Sequence, residues 1–181
     1  MKVQSDGFEF DFTDAVDAFV FDQKDKTHPH YHGLSHAMKA VDLVVELPND
    51  VLLIEIKDFH AADDYDFKSA IDTAQKAERL TRLNHLRDVL THKFRDTWLY
   101  HWADNKADKP IRYLCLLTLD NGLLPAVLKT LHKQLPVGLA GPRWQRPLLQ
   151  ACVVLNPDRW NSNFPAWPVK RIPMAQGQVA L

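Results

Sequence analysis

At 181 residues and 46% hydrophobic content, the chain has the length of one domain and apolar material for a sizeable core. It contains no run of about 18 apolar residues, and its opening MKVQSDGFEF lacks the basic, apolar, small-residue order of a secretory signal, so a cytoplasmic protein with no membrane-spanning helix is expected. The net charge of -1 averages over a gradient, with 16 acidic against 6 basic side chains in residues 1–75 and 7 against 16 in residues 76–181. Such halves suit a carboxylate-rich metal site beside a phosphate-holding surface, and equally suit two halves that attract each other.

In chain order, Phe12, Val16, Phe19 and Val20 recur at helical spacing, which predicts a short amphipathic helix from Thr13 to Asp22 with Thr13 as N-cap and Asp14 in its first turn. Residues 23–38 carry Pro29, Gly33 and four histidines without a steady period and read as a loop. Ala40 to Leu47 and Val51 to Lys57 are apolar, partly β-branched runs around Pro48-Asn49-Asp50, the pattern of a hairpin whose strands lie centrally in a sheet. From Phe67 to Phe94 apolar residues keep a helical period, with a break expected near Thr91. Ile111 to Leu119 reads as a buried strand, Pro125 to Leu135 as a helix and Leu148 to Leu155 as a further strand. The residues beyond, rich in Pro, Asn and Trp, read as an irregular tail. Cys115 and Cys152 lie inside apolar runs, away from any ligand spacing, and read as buried core thiols. The order of elements implies a mixed α/β sandwich.

The chemistry concentrates between Asp42 and Lys57, DLVVELPNDVLLIEIK. Strand alternation points Glu55 and Lys57 to one face and Ile54, Ile56 and Asp58 to the other. With an even hairpin loop, Asp42 falls opposite Glu55 (Leu47 paired with Asp50) or opposite Lys57 (Pro48 paired with Val51), and either register gathers all three on one face. Two carboxylates so placed can hold Mg²⁺ or Mn²⁺, and an adjacent ammonium can orient or deprotonate an attacking water. A carboxylate and an ammonium interrupting so apolar a strand would be costly unless paired or used.

This arrangement resembles the active site of the PD-(D/E)XK, or restriction-endonuclease-like, nuclease superfamily. The resemblance implies an α/β fold with a central mixed β-sheet flanked by helices. It implies one such domain over residues 1–181, with its core at about 13–120 and a helix, a strand and an irregular tail over 121–181. It makes Asp42 and Glu55 the metal ligands, Lys57 the catalytic lysine, and the backbone carbonyl of Ile56 a further ligand. The proline that the family places before the Asp is Val41 here. The acid it often carries on its first helix has two candidates, Asp14 and Asp17. One branch of the family places a Gln on the following helix; Gln75 stands there, with Arg79 where that branch has an aromatic residue.

Around this motif, His36 precedes Asp42 by six residues and is a candidate to assist a phosphate. His28, His30 and His32 could bind a transition metal, although a solvated loop is the plainer reading. Gln75, Lys76, Arg79, Arg82 and Arg87 on the long helix offer contacts to a nucleic-acid backbone. Trp98, Tyr100, Trp102, Trp160 and Trp167 could stack on bases, but such aromatics more often close a core.

The sequence therefore predicts Mg²⁺- or Mn²⁺-dependent hydrolysis of DNA phosphodiester bonds, with a homodimer or a partner protein compatible with that activity. The competing expectation is a catalytically inactive or partner-dependent nuclease-fold binding subunit, since a fold does not by itself choose a function.

Overall fold

A computed structural model describes residues 1–59 and 73–173, with the backbone alone for residues 73–80. The chain opens on a hairpin that the sequence reading did not anticipate. β1 (Lys2–Ser5) and β2 (Phe8–Asp11) pair antiparallel across Asp6-Gly7. Both turn residues have positive φ, 47° and 77°, the backbone of a two-residue turn whose twist matches that of its strands. Alternation in β2 buries Phe8 and Phe10 completely and leaves Glu9 and Asp11 at the surface.

The helix expected over Thr13–Asp22 is instead β3 (Asp17–Val20). Ala18 and Val20 pack into one core and Phe19 and Phe21 into another, so apolar residues are needed on both sides of an extended chain. A strand apolar on both faces matches helical spacing by accident, and Val16, which a helix would bury, is 61% exposed.

β4 (Leu43–Glu46), β5 (Val51–Lys57), β6 (Ile111–Leu117) and β7 (Ala151–Leu155) complete a five-stranded mixed sheet in the order β3-β4-β5-β6-β7. Pairing is antiparallel from β3 to β5 and parallel from β5 to β7. The central position of β5 explains its composition, because every residue from Val51 to Ile56 is buried. α1 (Thr73–Ala103) fills the crossover from β5 to β6, and α2 (Leu124–His132) that from β6 to β7. α1 runs through Thr91 without the predicted break: it contains neither Gly nor Pro, and Leu86, Leu90, Phe94, Thr97 and His101 continue one buried stripe past that point.

Residues 156–173 are more regular than expected. Asn156 caps α3 (Pro157–Asn163) by accepting the Arg159 N–H at 3.0 Å. β8 (Val169–Arg171) then pairs with β2, giving a three-stranded antiparallel sheet in the order β1-β2-β8.

The large sheet thus has two different coverings. One face packs against α1 and α2 through Val44, Leu53, Leu90, Phe94, Tyr113 and Val127. The other packs against the small sheet and α3 through Phe8, Phe10, Leu43, Ile54, Leu116 and Trp160. The expected flanking helices are α1 and α2 on one face and the seven-residue α3 on the other, where a second sheet shares the covering. Among the described residues no helix is long and apolar enough to cross a membrane.

Candidate active site

The hairpin between β4 and β5 sets the site. Leu43 pairs with Ile54, and the Leu47 N–H donates to the Asp50 carbonyl at 2.9 Å, which leaves Pro48-Asn49 as a two-residue turn. Of the two registers that parity allowed, this is the one placing Asp42 opposite Glu55. It is held there by the Asp42 N–H to the Ile54 carbonyl at 3.1 Å, while the Phe21 N–H donates to the Asp42 carbonyl at 2.9 Å. On the far side of β5, Glu55 pairs in register with Cys115 of β6. Asp42, Glu55 and Lys57 lie on the sheet face that α1 covers, the face of Val44, Val51 and Leu53.

α1 completes the cluster with a residue that the sequence reading missed. The Lys93 Nζ lies 3.0 Å from Asp42 Oδ1 and 2.8 Å from Glu55 Oε2. Lys57 Nζ lies 2.9 Å from Glu55 Oε1. Asp42 Oδ2 accepts the Ile56 N–H at 2.6 Å. On the same helix face as Lys93, Asp96 accepts the Lys39 N–H at 2.8 Å and the Thr97 hydroxyl oxygen accepts the Val41 N–H at 3.0 Å. Three residues of α1 therefore fix the backbone leading into Asp42 and the carboxylate itself. In sequence, Lys93 carried one signal: it stands three residues after Leu90 and next to Phe94, beside the apolar stripe of the helix.

Burial dominates the electrostatics. Glu55 is fully inaccessible, and its carboxyl is pushed up to about 8, first by desolvation and then by the Asp42 charge, against the pull of Lys93 and Lys57. Desolvation also raises Asp42, with Lys93 and the Ile56 N–H opposing it. Lys93 moves upward despite its own desolvation, because Glu55 and Asp42 hold its proton. Lys57 is the open member of the group, with 34% of its side chain exposed against 13% for Lys93.

Other predicted residues fall elsewhere. Asp14 lies in the turn before β3 and accepts the Trp167 indole N–H at 2.5 Å, so it serves the small-sheet side of the molecule. Asp17 pairs with Glu46, at the end of β3 and β4 opposite to Asp42. With a strand in place of the expected helix, neither acid reaches the cluster. His36 is exposed, and no contact links it to Asp42 or Glu55. His30 stacks on Phe19 at 3.7 Å and His32 on Phe21 at 5.0 Å, so these rings cover β3 instead of gathering as ligands. Arg82 is half-buried on α1, and Arg87 pairs with Asp88 and Asn84. The side chains of Gln75, Lys76 and Arg79 lie outside the described residues. Trp160 is a core residue, whereas Trp102 is 61% exposed. Cys115 and Cys152 are free and buried, as expected.

Among the described residues no third carboxylate, histidine or cysteine joins Asp42 and Glu55. The donor set nevertheless fits a hard divalent cation, because Asp42 Oδ1 and Glu55 Oε2 already converge on one cationic atom, Lys93 Nζ. The N–H and C=O of a strand residue face the same neighbour, so the Ile56 carbonyl lies on the β4 side where β4 has ended. Comparison of the chain with protein-family models, with curated proteins and with solved structures yields no match.

Proposed function

We propose that this chain is a metal-dependent nuclease of restriction-endonuclease-like architecture that hydrolyses DNA phosphodiester bonds. The observation that carries the reading is the gathering of two buried carboxylates, Asp42 just ahead of β4 and Glu55 on β5, on one cationic atom, with Lys57 two residues on at the solvent edge. A structural Glu–Lys pair has no need of a second buried carboxylate opposite it, and burying one is costly. Asp42 and Glu55 would hold Mg²⁺ or Mn²⁺ with the Ile56 carbonyl beside them. The bound cation supplies Lewis-acid activation of water and neutralisation of phosphate charge.

The chain's own groups have separable tasks in this reading. The Ile56 N–H orients the Asp42 carboxylate, leaving Oδ1 to face the cluster. Glu55 is fixed by its place in the central strand and screened from bulk water. Lys57 reaches solvent, where its ammonium can orient the attacking water and offset charge that develops on the phosphate oxygens. The basic residues concentrated after residue 75 supply the attraction for a polyanion.

One observation favours a second reading. Lys93 and Lys57 together neutralise both carboxylates, so the cluster can exist as a closed ion-pair network in a binding subunit that cuts nothing. Calorimetric titration of Mn²⁺ and Mg²⁺ into the wild type and Glu55→Ala, beside cleavage assays on single-stranded and duplex DNA, separates the two. The nuclease reading expects metal binding and cleavage in the wild type and loss of both in the variant. Absence of binding at millimolar metal, with DNA present, by the wild type and by variants that remove the Lys93 charge favours the binding-subunit reading.

A further inference from the structure

Lys93 stands where a metal reading would place the cation. Its ammonium contacts one oxygen of each carboxylate, 3.0 Å from Asp42 and 2.8 Å from Glu55, whereas Lys57 touches only the other oxygen of Glu55. An ammonium and a divalent ion cannot share that point, since each would sit within contact distance of the other with charges of the same sign. Building on the nuclease reading above, we propose that Lys93 is a tethered competitor of the metal, occupying the Asp42–Glu55 pair until a divalent cation displaces it.

The surroundings suit an exchange by side-chain movement alone. The Asp96 and Thr97 contacts hold α1 against residues 39–41 independently of Lys93, so the helix has a reason to stay in place when the ammonium leaves. The four-carbon stem of a lysine is flexible, and this side chain keeps 13% of its surface exposed. The exchange also keeps the buried carboxylates compensated at every stage. In the empty site Lys93 prevents two adjacent buried negative charges from facing each other, a service the metal takes over. The affinity of the site for metal is thus the difference between two cations competing for the same oxygens.

The test is Mn²⁺ titration calorimetry at pH 8.5 on the wild type, Lys93→Met, Lys93→Arg, Lys57→Met and Glu55→Ala, with melting curves in chelator and in saturating Mn²⁺. Lys93→Met is expected to bind Mn²⁺ at least about tenfold more tightly than the wild type, a change of about 1.4 kcal/mol. It should melt lower than the wild type in chelator and gain more from Mn²⁺. Lys93→Arg, which keeps the charge, should gain no affinity, and Lys57→Met, which removes a charge without vacating the bridging point, should gain clearly less than Lys93→Met. Lys93→Gln replaces Lys93→Met, with the same expectations, if the latter does not fold. Equal affinity in the wild type and Lys93→Met, or equal gains from Lys93→Met and Lys57→Met, overturns the competition while leaving the nuclease reading intact, provided that Glu55→Ala loses the metal. Failure of the wild type and of both neutral Lys93 variants to bind Mn²⁺ overturns the competition together with the reading on which it rests.

Discussion

Glu55 is the residue on which the chemistry and the stability of the molecule meet. Its carboxyl is raised to about 8 in the folded chain, against about 4.3 for an unfolded one. Between those values the folded state binds more protons than the unfolded state, so stability falls as pH rises through this window. Metal-free protein is therefore expected to lose melting temperature steadily from about pH 5 to about pH 8, and Glu55→Gln to flatten that decline. Calorimetric melts in chelator across the range check the sign. Metal binding should show the opposite trend and tighten as Glu55 ionises. Asp42, Glu55 and Lys57 were legible in the sequence because strand alternation and an even turn leave no arrangement that separates them. Lys93 was not, since it enters from a helix 51 positions after Asp42 and its reach depends on how α1 packs across the sheet.

At the scale of elements, the register of the hairpin around the two-residue turn Pro48-Asn49 sets the face on which Asp42 stands. Inserting one glycine in the turn gives a three-residue loop, another common hairpin connection, and is expected to keep that register and the binding of Mn²⁺. Deleting Val44 from the strand itself must either unpair β4 from β5 or turn Asp42 to the opposite face, and is expected to abolish that binding; Mn²⁺ titration of the two proteins decides it. The hairpin was readable because both its strands are apolar runs with turn residues between them. β3 was not, because Phe19 and Phe21 serve one core and Ala18 and Val20 the other, and a half-buried strand with apolar side chains on both faces has no polar alternation to mark it. The β1–β2 hairpin did carry a signal in Asp6-Gly7, but its strands are only four residues long and half polar.

For the whole molecule, the second core depends on segments from both ends of the sequence. Phe8 and Phe10 from β2, Trp160 from α3 and Val169 from β8 share one cluster, and the Trp160 indole N–H donates to the Trp167 carbonyl at 2.7 Å. Arg171 of β8 also reaches the end of β5, where it pairs with Asp58 next to Lys57 and lies 4.8 Å from the centre of the Phe8 ring. Ending the chain before Val169 is expected to uncover Phe8 and Phe10, to raise binding of a hydrophobic dye and to lower the melting temperature. An unchanged melting curve would mean that the large sheet and α1 stand without the small one. This arrangement could not be read from the sequence, because pairing Phe10 with Val169 spans nearly the whole chain and leaves no local mark.

The same pairing bears on how the protein is made. β2 leaves the ribosome well before β8, so the aromatic face of the first hairpin waits for its partner strand while all the residues between Phe10 and Val169 are made. Closing so long a loop is a late and slow event compared with forming α1 or the β4–β5 hairpin. The nascent chain therefore has Asp42, Glu55, Lys57 and Lys93 in hand while Phe8, Phe10 and Phe12 are still uncovered, and during that interval these rings are exposed to association with other apolar segments.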